Sequence, residues 1–269
     1  MDKLLRIMAL LRDKEHGCPW DLEQTLTSLT RYTLEEVYEV VDAVEEGDTA
    51  SLKDELGDLL FQVVFYARIA EEDSLFSFQD IVDAISDKLV RRHPHVFPAG
   101  KVESFGQQQA LDADQVVTNW EAIKKQERAQ KGQADQQPVS VLSDIPQALP
   151  ALERALKIQK RAARVGFDWQ QLAPVLGKVR EELAELEAAI AGGENEAIQH
   201  ETGDLLFAVV NLARHTRVEP ENALRECNRR FFRRFSFIEQ QLSEENTRIE
   251  DAGLEKLDQL WDAAKQKGL

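Results

Sequence analysis

The sequence predicts an all-α protein built as two tandem helical bundles, each of about four helices. Three observations carry that prediction. Long stretches are rich in Ala, Leu, Glu, Gln, Lys and Arg, the good helix formers, while glycine and proline number only 13 and 8 among 269 residues. No segment has the period-two alternation or β-branched enrichment of a strand. Residues 35–68, EEVYEVVDAVEEGDTASLKDELGDLLFQVVFYAR, return without a gap as residues 181–214, EELAELEAAIAGGENEAIQHETGDLLFAVVNLAR, at an offset of 146.

The elements follow in order. MDKLLRIMALLRDKEHG reads as a short amphipathic helix and lacks the continuous apolar core of a signal peptide. Helices are expected over 27–46, 49–72, 78–92 and 114–128, with a turn at Gly47-Asp48 and a stop at Pro94. In the second copy Gly192-Gly193 marks the turn, and Pro220 stands at a helix start, where proline is tolerated. RRHPHVF from Arg91 is echoed by RRFSFIE from Arg233, and Trp120 with Lys124 by Trp261 with Lys265. The stretch KKQERAQKGQADQQPVSV between the copies is polar and Gln-rich. The expected domains are therefore residues 1–128 and 146–269, joined by a linker over 129–145.

Composition narrows the function. The net charge of −16 disfavours a nucleic acid polymer as partner, and binding of a small anion would need a mediating cation. Two distant cysteines, Cys18 and Cys227, make no disulfide framework and suit a reducing compartment. No apolar run approaches the roughly 20 residues that span a membrane, so a cytoplasmic protein is expected.

The chemistry lies in carboxylate spacing. Glu36 and Glu39 share a helix face, as do Glu55 and Asp58 on the next helix. Folded antiparallel about the 47/48 turn, Glu39 lies 8.5 positions before it and Glu55 7.5 after, with Glu36 and Asp58 at 11.5 and 10.5. About a second turn placed at 192.5, Glu185 and Glu201 lie 7.5 and 8.5 positions out, and Glu182 and Asp204 10.5 and 11.5. Four carboxylates facing one another beside the apolar LLFQVVF or LLFAVVN require a compensating cation. All-oxygen ligation points to Mg²⁺, with Mn²⁺ the alternative, rather than zinc. A single E-x-x-E would be read as a solvated helix face. Two such pairs, level across a turn and repeated, are not. Glu35 and Glu181 point elsewhere, as supporting groups or plain surface.

Cationic and aromatic groups recur nearby: Lys88 and Arg92 with Arg91, matched by Arg230 and Arg234 with Arg233; Trp120 and Lys124, matched by Trp261 and Lys265. Lys178 precedes Glu182 by one turn in the second copy, where the first has Tyr32. Arg, Lys and Mg²⁺ together clamp polyphosphate, and an aromatic ring can cover a base. The competing readings are ion pairing with surplus acid for the basic groups and core packing for the Trp residues. No phosphate loop, G-x-G-x-x-G or H-E-x-x-H occurs. His93 and His95 around Pro94 read as structural, and Cys18 as packed.

With EE-x-x-E, E-x-G-D, GCPWD, RRHPHVF and VGFDW in place, residues 1–267 resemble the MazG family of nucleoside triphosphate pyrophosphohydrolases, including its two-domain arrangement. The resemblance implies two tandem MazG-like helical bundles, a homodimer, and Mg²⁺-dependent hydrolysis of nucleoside triphosphates to monophosphate and pyrophosphate. It implies metal ligation by Glu182, Glu185, Glu201 and Asp204, and nucleotide contacts from Lys178, Arg230, Arg234, Trp261 and Lys265. Arg230 stands where the family usually has lysine, which changes the donor geometry. Both copies keep all four acids; Lys178 favours the second as the active one. The alternatives are a non-enzymatic helical adaptor or metal-binding scaffold, and a Nudix-type enzyme suggested by Arg180-Glu181-Glu182-Leu183. The latter lacks its upstream glycine and its strands.

Overall fold

Helix-forming composition and cap chemistry set the elements of the protein. The computed structural model describes residues 1–106, 111–113, 115, 116, 118–120, 122, 123, 126, 127, 140–143 and 145–269, and among these there is no strand. They fall into two compact units, Met1–Ala134 and Asp135–Leu269. The expected linker lies mostly outside the described residues, as does Lys124.

The first unit comprises α1 (Asp2–Leu11), the short α2 (Pro19–Glu23), α3 (Thr30–Glu46), α4 (Thr49–Glu72) and α5 (Phe78–Arg92). The described residues between 113 and 127 are helical, in the place of the expected fourth helix. α3 begins three residues later than expected. Thr25 and Ser28 hydrogen-bond each other's backbone N–H instead, holding 25–28 in a turn. Asp48 caps α4 through the N–H groups of Ala50 and Ser51, and Ser77 with Asp80 forms a capping box on α5. Met8 of α1 is buried against Leu29, Val64, Phe65 and Ile69, so the amphipathic N-terminal helix closes the core over α3 and α4.

The second unit comprises α6 (Ala151–Ala163), α7 (Leu172–Gly192), α8 (Asn195–His215), α9 (Pro220–Glu244) and α10 (Gly253–Gln266). α7 and α8 form the counterpart of the α3–α4 hairpin, with α6 packed on α8 and α10 on α9. Gly47 and Gly193 end α3 and α7 in the left-handed conformation, each at φ 73°. That is the conformation glycine adopts without a Cβ penalty. The second turn is thus centred between Gly193 and Glu194, one residue beyond the expected 192.5. Gly192 remains helical because Gly193 supplies the left-handed residue. Corrected, Glu185 and Glu201 stand 8.5 and 7.5 positions from the turn, the same register as Glu39 and Glu55.

Candidate active site

The two hairpins bring the expected acids together. One oxygen each of Glu36, Glu55 and Asp58 lies within 4.8 Å of the other two, and so do oxygens of Glu182, Glu185 and Glu201. Glu39 is close enough for its charge to act on both Glu36 and Glu55. Asp204 joins the second set through His200, whose Nδ1 is 3.2 Å from Asp204 Oδ2 and 3.5 Å from Glu201 Oε1. The sequence reading assigned His200 no part. It precedes Glu201 directly, where the first copy has Asp54.

Each set holds at least one carboxyl raised above its ordinary value. Burial pushes the Glu36 carboxyl above its ordinary value, and the charges of Asp58 and Glu39 add to the rise. Glu55 is raised by loss of solvent and by Glu39. Glu185 is raised by the hydrogen bond it shares with Glu182, then by loss of solvent. Oxygens at these separations fit a hard divalent ion. Two ligands at the about 2.1 Å bond length of Mg²⁺ stand at most about 4.2 Å apart, a small contraction from the observed arrangement. The first set is all carboxylate, which suits Mg²⁺ or Mn²⁺, while the second adds the His200 imidazole beside its carboxylates.

Lys178 lies within this site. Its Nζ is 2.6 Å from Glu182 Oε1 and 2.8 Å from Glu181 Oε1. The hydrogen bonds that its ammonium donates to Glu181 and Glu182 raise its pKa and keep it charged. Glu181, expected to point elsewhere, therefore holds this lysine. In the first unit Tyr32 packs edge-on against Trp20 at 5.4 Å, and Glu36 instead accepts a long hydrogen bond from Gln62 at 3.4 Å.

Most of the remaining basic and aromatic candidates among the described residues have local partners. Arg92 and Arg91 both pair with Glu127, at 2.6 and 2.8 Å. The Arg92 hydrogen bond leads in bringing that carboxyl down to about 2. Lys88 is exposed. Trp120 packs against His93 at 5.1 Å, with its indole N–H buried and unpaired. On α9 and α10, Arg234 donates to the Leu269 carbonyl at 2.7 Å and lies over the Trp261 ring. Arg230 is 4.0 Å from Glu226, and Lys265 pairs with Asp262 at 2.9 Å.

A cavity of about 400 Å³ adjoins the second acid set. Lys178, Glu182 and Asp204 line it, with Gln159, Phe167, Trp169, Phe207, Asn211 and Arg214. Arg214 is clamped by Asp168, with Nη1 2.9 Å from Oδ2. The Arg214 hydrogen bond is the main cause lowering the Asp168 carboxyl to about 2. Sequence reasoning missed this cavity. One signal lay in the repeat: at the 146-residue offset Asn211 matches Phe65, a polar group where the other copy has a core aromatic.

A family model described as "MazG nucleotide pyrophosphohydrolase domain" matches residues 24–97. One described as "Phosphoribosyl-ATP pyrophosphohydrolase" matches residues 149–231. The chain is 49% identical to "Nucleoside triphosphate pyrophosphohydrolase" of Escherichia coli K12, over 99% of this chain and 97% of that one. It is 40% identical to "Nucleoside triphosphate pyrophosphohydrolase/pyrophosphatase MazG" of Thermotoga maritima, over 98% and 95%. A longer "Uncharacterized protein YabN" of Bacillus subtilis is 43% identical over 93% of this chain and 49% of its own.

Proposed function

The chain belongs to the MazG family, and from that premise we propose that it hydrolyses nucleoside triphosphates to the monophosphate and pyrophosphate, by attack of water on the α-phosphorus. The observation that carries the reading is the convergence of Glu182, Glu185 and Glu201 within 4.8 Å across one helix hairpin, beside a lysine. The names of the full-length relatives and the descriptions of both family models point to the same bond chemistry.

Glu182, Glu185, Glu201 and Asp204 would hold the divalent cation in the second unit, Mg²⁺ or Mn²⁺, and Glu36, Glu39, Glu55 and Asp58 would hold one in the first. A cation held there would supply charge neutralisation of the triphosphate and polarisation of the attacking water. A carboxylate of the set not engaged in ligation takes the proton of that water. Lys178 exchanges one of its two carboxylate partners for a phosphate oxygen and stabilises the leaving pyrophosphate. Arg230, Arg234, Trp261 and Lys265 complete the nucleotide contacts, with Lys88, Arg92, Trp120 and Lys124 in the first copy. A cytoplasmic homodimer completes the reading. Exposed Leu183, Leu206 and Phe207 beside the acids supply apolar surface for such an assembly. No helix among the described residues is long and apolar enough to cross a membrane.

The test is release of pyrophosphate from a mixed nucleotide pool by the full chain, with and without Mg²⁺, in ¹⁸O-labelled water. Label is expected in the monophosphate. Label in the pyrophosphate, or no metal-dependent release, refutes the mechanism.

A further inference from the structure

The two units share a hairpin, a register and an acid pattern, but differ in what lies beneath. In the first, Phe65 is 1% exposed and packs with Met8, Leu29 and Val64. In the second, the matched position is Asn211, and Tyr32 is matched by Lys178. The aromatic volume is gone, and the cavity beside Glu182 stands in its neighbourhood.

Two amides facing this cavity are fixed in orientation. Gln159 is only 7% exposed. Its Nε2 donates to the Phe207 carbonyl at 2.8 Å. The amide cannot be turned over without setting oxygen against oxygen, so Oε1 is the free end. It is buried and has no hydrogen-bond partner. Asn211, 9% exposed, receives both Arg214 bonds on Oδ1, at 3.0 Å from Nε and 2.7 Å from Nη2. Its Nδ2 is left as a donor, and the Asp168 clamp on Arg214 holds that assignment. One acceptor and one donor thus stand among Phe167, Trp169 and Phe207, next to the acids.

We propose that this cavity takes the base of the nucleotide, and that Gln159 selects bases bearing an exocyclic amine by accepting a hydrogen bond from that amine, while Asn211 donates to the adjacent ring nitrogen. The assignment rests on the second acid set binding the triphosphate. The aromatic side chains suit the flat faces of a base. The amine is favoured over a ring N–H because the Gln159 oxygen is recessed. An exocyclic group protrudes toward it, whereas the ring N–H of a keto base is flanked by a carbonyl that would meet the acceptor first. A site built to pair with a substrate donor discriminates strongly against the analogue lacking it.

The experiment measures kcat/KM of the full chain with Mg²⁺ for two pairs that differ by the amine alone. One is ATP and purine riboside triphosphate; the other is CTP and its pyrimidin-2-one analogue. The unaltered protein is expected to prefer the amine in at least one pair by about tenfold or more, and Gln159→Leu to reduce that preference to about threefold or less. Asn211→Leu should weaken the same preference. Because each preparation turns over both members of a pair, the ratio is independent of the folded fraction. Equal turnover of both pairs by the unaltered protein, or a preference that survives Gln159→Leu, overturns the assignment while leaving pyrophosphohydrolysis standing. A change in the ATP to dATP ratio alone would give the acceptor to the sugar and overturns it likewise. No pyrophosphate from any of these substrates overturns the activity, and this assignment with it.

Discussion

In the first unit, α3 and α4 press Leu29 and Phe65 against Met8 of α1. In the second, the matched positions on α7 and α8 hold Val175 and Asn211, and α6 contributes Gln159 by a hydrogen bond to the Phe207 carbonyl. At these matched positions the first copy packs aliphatic and aromatic side chains, whereas the second sets an amide beside an open cavity. Lys178 follows the same division. It reaches Glu182 in the second unit, whereas Tyr32 in the first turns to Trp20.

The comparison breaks most sharply at the acids. Glu201→Ala should lower kcat/KM for pyrophosphate release by about 10³-fold or more, the scale expected when a metal site is dismantled. Glu55→Ala should leave kcat/KM within about twofold of the unaltered protein, because the turnover is assigned to the second unit. Comparable collapse from both changes would show that the copies act as one unit. The next largest effect is on stability. Phe65→Asn places an amide at a position 1% exposed, and is expected to cost about 3–5 kcal/mol in denaturant unfolding. The reverse change, Asn211→Phe, fills the cavity and should abolish substrate turnover at little cost in stability. A large loss of stability there would mean that Asn211 is needed for folding.

A smaller effect concerns pH. Asp168 has its folded pKa depressed to about 2 by the Arg214 hydrogen bond. Its contribution is therefore present above the ordinary carboxylate value and fades as pH falls from about 4 toward 2. Asp168→Asn should remove about 1–2 kcal/mol at neutral pH and flatten the acid limb of the stability profile. Smallest is Gly203→Ala, in the middle of α8, where an added Cβ meets nothing within 4 Å. Exchange at an open helical position should raise stability by up to about 1 kcal/mol, read as a higher Tm. A fall in Tm would place a neighbouring surface against that glycine.

Much of this was legible in the chain. An ungapped repeat with acids at fixed distances from a glycine turn specifies which carboxylates meet, because a helix hairpin is a ruler with about 1.5 Å per residue. Missing the second turn by one residue came from two adjacent glycines, of which only Gly193 takes the left-handed conformation. The cavity was harder to read. It depends on Gln159 lying 48 residues from its carbonyl partner, and on an oxygen that fails to find a donor, a property no local pattern encodes. The basic clusters were legible as residues but not as contacts. Arg91 and Arg92 converge on Glu127, at sequence separations of 36 and 35, within a stretch the repeat aligned only loosely.

The shared glycine turn also limits how either hairpin can change length. Each residue inserted at Gly47 or Gly193 would swing the following helix by about 100° about its axis and shift it by about 1.5 Å. Glu201 and Asp204 would then face away from Glu182 and Glu185. The loop is thus a phase-setting joint, intolerant of the insertions that surface turns usually absorb. Only additions near a whole number of helical turns, made on both sides, would let the opposing acids meet again.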